Sequence, residues 1–371
     1  MNLLSVKKLI LLIFGLSLMF TCESKVRNNR PLVWDMAQIE QLKKEGGKGD
    51  AVRTILKDAD GIRLAKPVAV TDKQRTSFEP DKHYFCSIGP YWWPDSLNKG
   101  KYINKDGEVN PESKLYDNVK AIEMVNRCLT LSKAFYITEN KQYYDAFLRQ
   151  LRVWFINKDT YMYPTFEYAQ VVPGQNNNKG RSTGMITAYV FNSLIESIRL
   201  VNGIKRIDRR TMKKIQKWFL SFAEESEKLY GAIFHDANNN ISLAFDVTIA
   251  NMYLFAGQEE KAKQIVDDFA TLRIEKQILD DGRQPSELIR TDAFSYSVYN
   301  LTHIIDFCFL AQYWYPNYYM DHRTRIDNAF NFLEQFVDNT EAFPYQQITK
   351  WETCKKDYYY QLNRIKALEL Q

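Results

Sequence analysis

Ser182-Thr-Gly-Met-Ile-Thr-Ala-Tyr-Val-Phe-Asn-Ser-Leu-Ile-Glu-Ser-Ile-Arg-Leu-Val201 carries its apolar residues at helical, not strand, spacing. Met185, Ile186, Tyr189, Val190, Leu194 and Ile198 fall on one face of a helix with 3.6 residues per turn. The same texture recurs on both sides. Asp50 is the expected N-cap of a helix, and residues 115–138 and 140–156 read as a helical hairpin. Asp208 is placed to cap a helix bearing Met212, Ile215, Phe219 and Phe222. Residues 241–256 and 258–272 make a further pair, followed by 293–314 and 322–337. No run alternates cleanly as a half-buried strand would. Successive helices joined by short turns predict antiparallel α-hairpins, and no repeat is strong enough for a helical array. The expected fold is all-α, an incomplete α/α toroid or barrel whose long loops line a cleft.

The ends bound this domain. Lys7 and Lys8 precede an apolar run, Leu9 to Phe20, of signal-peptide length and too short to span a bilayer comfortably. Residues 1–22 are expected to be a leader, residues 23–33 a linker, and residues 34–371 one domain. Leu18-Met-Phe-Thr-Cys22 is similar to a bacterial lipoprotein cleavage box, with Phe20 and Thr21 where smaller residues are usual. The expectation is an exported protein, periplasmic or held at the outer membrane by lipid on Cys22. Removing residues 1–22 takes away two lysines and no acids, so the formal charge falls from +5 to +3. That mild excess suits an acidic polymer and gives no sign of nucleic-acid binding. Cys86, Cys128, Cys308 and Cys354 are scattered without a CxxC pair, and His83, His235, His303 and His322 are equally dispersed, so neither a metal nor another cofactor is indicated.

Four polar constellations stand out. Residues 66–113 break the helical pattern with five prolines, and an excursion of that length is usually functional. Within it lies Ile88-Gly-Pro-Tyr91-Trp92-Trp93-Pro-Asp95, whose tandem tryptophans either plug one end of a barrel or form a platform for sugar rings. Tyr168-Ala-Gln170-Val-Val-Pro-Gly174 leads through a polar loop to Arg181. His235 precedes Asn238-Asn239-Asn240, which either cap the next helix or supply amide donors. Asp281-Gly-Arg-Gln-Pro-Ser-Glu287-Leu-Ile-Arg290-Thr feeds Phe294-Ser-Tyr296-Ser-Val-Tyr299-Asn-Leu. There Arg290 either pairs with Glu287 or Asp292, or holds a substrate carboxylate one to two turns before Tyr296.

The order of these elements, together with Asp106-Gly-Glu-Val-Asn-Pro-Glu, resembles the alginate lyase family of polysaccharide lyases over residues 35–350. The resemblance implies an α/α toroid and β-elimination of a uronate polymer, alginate or glucuronan for example. It implies Arg290 and Asn240 neutralising the uronate carboxylate, and Tyr296, its pKa lowered by Arg290, acting as base and returning the proton to the leaving oxygen. Gln170, Arg181, Trp92 and Trp93 would hold neighbouring sugars, with Tyr91, Asn239, Glu287, Tyr299 and His235 also lining the substrate.

The chain departs from the family at one position. The family's Asn-Asn-His element, anchored on Phe245-Asp246, matches Asn239 and Asn240 but puts Ile241 where the histidine stands. A register one residue back makes Asn240 the replacement and fits Asp246 less well. The alternative reading is therefore a non-catalytic uronan-binding relative. A third is a glycoside hydrolase using Glu287 as one of two carboxylates.

Overall fold

The computed structural model describes residues 29–46, 49–75 and 78–369, so the expected leader, Cys22 and residues 23–28 of the linker lie outside it. Two helices open the described chain, α1 (Met36–Glu45) and α2 (Asp50–Leu64). Gly49, not Asp50, is the N-cap of α2; Asp50 forms its first turn. The expected hairpin follows as α3 (Asp117–Thr138) and α4 (Lys141–Phe155), and Asn140 caps α4 by accepting from Gln142 N. Then come α5 (Val190–Ile204), α6 (Arg209–Asp236), α7 (Asn240–Phe255) and α8 (Glu259–Phe269), which runs on through a π-helical turn at Ala270–Ile274. Helices α9 (Ala293–Ala311), α10 (Tyr318–Val337) and α11 (Trp351–Glu369) complete the chain.

Composition sorts these helices into layers. Helices α7 and α9 are buried around nearly their whole circumference, as helices without a polar face must be. In the inner row α3 packs on α5, α5 on α7, and α7 on α9. Helices α4, α6 and α8 carry charge on one side and cover that row from outside. The result is the expected α/α toroid. Asp208 does cap α6, its carboxylate accepting from Thr211 N. The stretch 182–189 is a 3-10 helix and becomes α-helical only from Val190. Ser182, Thr183 and Gly184 are poor helix formers, and periodicity alone does not register that.

Four short strands also form. β1 (Cys86–Ile88) pairs in parallel with β4 (Tyr168–Val171), and β2 (Trp92–Pro94) pairs antiparallel with β3 (Tyr102–Asn104). Three or four residues are too few to show alternation, which is why none was expected. A buried ionic cluster fixes the long loop that carries them. Lys73 donates to the Tyr84 carbonyl and to Asp117 and pairs with Glu79, while Asp117 accepts from Cys86 N at 2.9 Å. Burial raises the Asp117 carboxyl to about 6. Cys86, Cys128, Cys308 and Cys354 are all buried and unpaired.

One arginine settles how α6 ends. The last carbonyls of a helix have no partner inside it. Arg273, almost fully buried on the π-helical turn, donates to the carbonyls of Phe234, His235 and Ala237 and pairs with Asp246 at 2.7 Å. It thereby fixes the turn from α6 into α7. Arg273→Ala would leave Asp246 charged and alone inside the protein, a change that costs about 3–5 kcal/mol. Chemical denaturation is expected to show a loss of that size, and a change under 1 kcal/mol would remove Arg273 from this role.

Candidate active site

The N-termini of α7 and α9 and the loops bearing β2 and β4 supply the polar residues of one region. Arg290 sits on the loop between a short helix, Pro285–Leu288, and α9, whose first turn carries Tyr296. The Arg290 guanidinium lies over the Tyr296 ring, 3.7 Å from its centroid. It pairs with neither Glu287 nor Asp292. Its Nε and Nη2 donate to Asp106 at 3.1 and 2.6 Å, and Thr291 N and Oγ1 bond the same carboxylate. Among the described residues Nη1 has no protein partner, so one edge of the fork stays available to an anion. Asp106 comes this close because Gly107 follows it. Gly107 has φ +79°, and a Cβ there would meet Thr291 Oγ1 at 2.7 Å and Ile348 Cδ1 at 2.6 Å.

Electrostatics divide these groups. The Arg290 hydrogen bond holds the Asp106 carboxyl below its ordinary value. Burial pulls the guanidinium down, but its hydrogen bond to Asp106 and the acidic groups around it outweigh that and leave it raised. Tyr296 runs against expectation. Burial pushes its phenol up, the hydrogen bond with the Tyr91 hydroxyl at 2.9 Å adds to this, and Arg290 only partly offsets both. The resting tyrosine is therefore protonated at neutral pH.

Asn239 and Asn240 divide their tasks. Asn239 is the N-cap of α7, its Oδ1 accepting from Ile241 N and Ser242 N. Asn240 is buried and donates from its backbone N and its Nδ2 to the two oxygens of Glu287, both at 2.7 Å. Half of the expected donor is thus taken by the protein. Glu287, expected against substrate, is 1% exposed and holds Asn240 in place. Burial raises its pKa and the Asn240 bonds work against that rise. Ile241 packs part-buried against the core.

The other flank is built around Gln170, a non-glycine residue at φ +53° in the irregular β1–β4 pairing. Such backbone costs about 1–3 kcal/mol and persists only where its surroundings enforce it. Here Gln170 N donates to Ser87 Oγ at 2.9 Å, and its side-chain oxygen accepts from Thr183 Oγ1 at 2.9 Å and Arg181 Nη2 at 3.4 Å. Arg181 in turn lies 5.2 Å above the Trp92 ring. Trp93 is half-buried, its indole N–H donating to the Glu108 carbonyl, with Lys105 over its ring. The tryptophans form a hairpin flank next to Tyr91 and are both part-buried.

Of two further expected residues, Tyr299 stays within electrostatic reach of Tyr91 and His235 lies apart. Tyr299 is largely covered one turn beyond Tyr296, edge-on to His303, which is itself fully buried with neither ring nitrogen hydrogen-bonded and its pKa lowered to about 3 by burial. His235 is exposed at the end of α6, on a pocket shared with Asp246 and Arg273. The end of α6 points it there because Arg273 caps the carbonyls around it. Sequence reading had missed Asp106, Thr291, Thr183 and Ser87 as site-builders. Only Asp106-Gly107, a turn inside a conspicuous stretch, offered a signal.

Asp106 supplies a test through pH. Its pKa is depressed in the fold from an ordinary value near 3.9, so its contribution to stability is complete above that value and lost as pH falls through the folded one. Asp106→Asn is expected to cost about 1.5–3 kcal/mol at pH 7 and to flatten the acid limb of the stability profile below about pH 4. An unchanged acid limb would show that the Arg290 pair is not formed.

Residues 69–343 match the family model described as alginate lyase. The crystal structure of an alginate lyase from Bacteroides ovatus is similar to the chain at 32% identity, with 92% of each chain covered and a TM-score of 0.85. Alginate lyase A1-III from Sphingomonas species A1 is 14% identical over 77% of this chain and 78% of its own, with a TM-score of 0.49. No curated protein matches.

Proposed function

The chain belongs to the alginate lyase family and is a polysaccharide lyase, and from that premise we propose that it cleaves a uronate polymer by β-elimination through Tyr296 and Arg290. The observation that carries this reading is the guanidinium 3.7 Å over the Tyr296 ring, with its Nη1 edge unoccupied. Elimination removes the proton at C5 of a uronate and expels the oxygen at C4. The ionised carboxylate beside C5 makes that proton very weakly acidic. Arg290, aided by the remaining amide hydrogens of Asn239 and Asn240, neutralises the carboxylate and stabilises the charge that develops.

The proton then follows one oxygen. Ionised Tyr296 takes the C5 proton, the electron pair forms the C4–C5 double bond, and the C4–O bond breaks. The phenol so formed gives the proton to the departing oxygen and returns to its starting state. One residue serving both steps suits departure on the same side of the ring. Tyr91 hydrogen-bonds the Tyr296 oxygen throughout, and the Arg181–Gln170 pair with Trp92 holds an adjoining sugar. The intact Tyr296–Arg290 pair favours this reading over a binding-only relative, although Ile241 leaves the carboxylate one donor fewer. Glu287 is buried on Asn240 and out of reach of a glycosidic oxygen, which argues against hydrolysis.

Alginate, glucuronan and glycosaminoglycans are the substrates to offer, with the ultraviolet absorbance of the new double bond as readout. At least one uronan is expected to give rising absorbance, and Tyr296→Phe to lower the rate about 10²–10⁴-fold. New reducing ends without absorbance would sink the proposal. Because burial raises the Tyr296 pKa and the base must be ionised, kcat/KM is expected to climb with pH from 7 to 9, approaching tenfold per unit. A flat or falling profile would exclude Tyr296 as the base.

A further inference from the structure

The turn into α6 and its first half carry Lys205, Arg206, Arg209, Arg210, Lys213, Lys214 and Lys217, all exposed. Among the described residues none of the seven pairs with a carboxylate; Asp208, beside them, pairs with Arg152 of α4 instead. Lys205 lies over the Tyr144 ring, and the others have no comparable contact. Helix stability does not account for them. The N-terminus of a helix is the positive end of its dipole and favours acids, yet the first turn of α6 holds none. The cluster opposes the local field and gains no ion pair in return.

Its position in the fold suggests what it meets. Asn29, the first described residue, lies against this face: Asn202 Nδ2 donates to Asn29 Oδ1 at 2.5 Å, and a Cβ on Gly203 would come within 2.5 Å of the Asn29 carbonyl oxygen. Cys22 precedes Asn29 by seven positions. Seven residues reach at most about 25 Å, so lipid on Cys22 would keep this face close to a membrane. The cleft is at the opposite end. Helix α7 starts at the site with Asn240 and finishes at Phe255, beside Arg206, Arg209 and Lys213, about 24 Å away at 1.5 Å per residue.

We propose that the basic face of α6 docks on an anionic lipid surface and turns the catalytic cleft toward the medium. The proposal rests on the expected export and lipidation at Cys22 and is independent of the identity of the polysaccharide. Each basic side chain at such a surface adds about fivefold in affinity. A polymer running through the cleft would not reach these cations, since they lie at the far end of the inner helices.

The test uses the exported chain carrying Cys22→Ser, so that the protein surface alone binds. Co-sedimentation is measured with phosphatidylcholine vesicles, with and without phosphatidylglycerol, at low and high salt. Binding is expected only with phosphatidylglycerol and is expected to weaken with salt. The combined variant Arg209→Gln, Arg210→Gln, Lys213→Gln, Lys214→Gln is expected to bind several hundredfold more weakly, with an unchanged or higher Tm and unchanged cleavage of soluble polymer. Equal binding to neutral vesicles, or a quadruple variant that binds like the parent, would overturn the proposal. So would a Tyr296→Phe protein that ignores vesicles but holds soluble polyuronate through these four residues, which would make the face a polysaccharide-holding surface. Failure of the parent to cleave any uronan would count against the lyase chemistry and leave this result standing.

Discussion

The Asp106–Arg290 ion pair joins residues 184 positions apart and makes the site one object. One partner belongs to the loop-rich excursion between α2 and α3, the other to the entrance of α9. Without the pair the β2–β3 hairpin would have no charged tie to the helical body at this point. It also fixes the guanidinium flat over Tyr296 while leaving one edge of the fork open. Both side chains keep about a quarter of their surface exposed, so the pair is neither a costly buried ion pair nor a negligible surface one.

Behind that contact the scaffold uses the same device repeatedly. Lys73 with Asp117 and Glu79 holds the excursion from below, and Arg273 with Asp246 holds the turn into Asn239 and Asn240. Each cation also donates to backbone carbonyls, so charge and chain path are fixed together. Glu287 does the equivalent for Asn240 with an anion. The toroid supplies rigid helix ends, and these buried polar groups decide where the loops between them go.

Much of this was legible in the residues. Apolar content and spacing gave the helices from α3 to α10 closely, because burial dictates them, on one side for most and nearly all round for α7 and α9. It overlooked α1 and α11, and it could not distinguish 3-10 from α winding at Ser182–Tyr189, where weak propensity decides. At the site, the sequence order brought Arg290 and Tyr296 to notice, and the fold puts them in contact. The direction of the Tyr296 shift was not legible, since it turns on how much of the phenol is covered and on Tyr91, 205 positions away. Glu287 likewise looked like a substrate ligand because no sequence pattern reveals that its carboxylate faces inward. His235 was grouped with the asparagines by adjacency, yet the end of α6 turns it toward Asp246.

The four buried thiols have a consequence for how this protein endures its surroundings. Burial pushes Cys128 above its ordinary range and Cys308 to about 12, so neither is ionised at neutral pH and neither is a ready nucleophile. No covalent staple links the described helices. Among the described residues the helices are held together by side-chain packing, hydrogen bonds and internal ion pairs, with all four thiols sealed inside that packing.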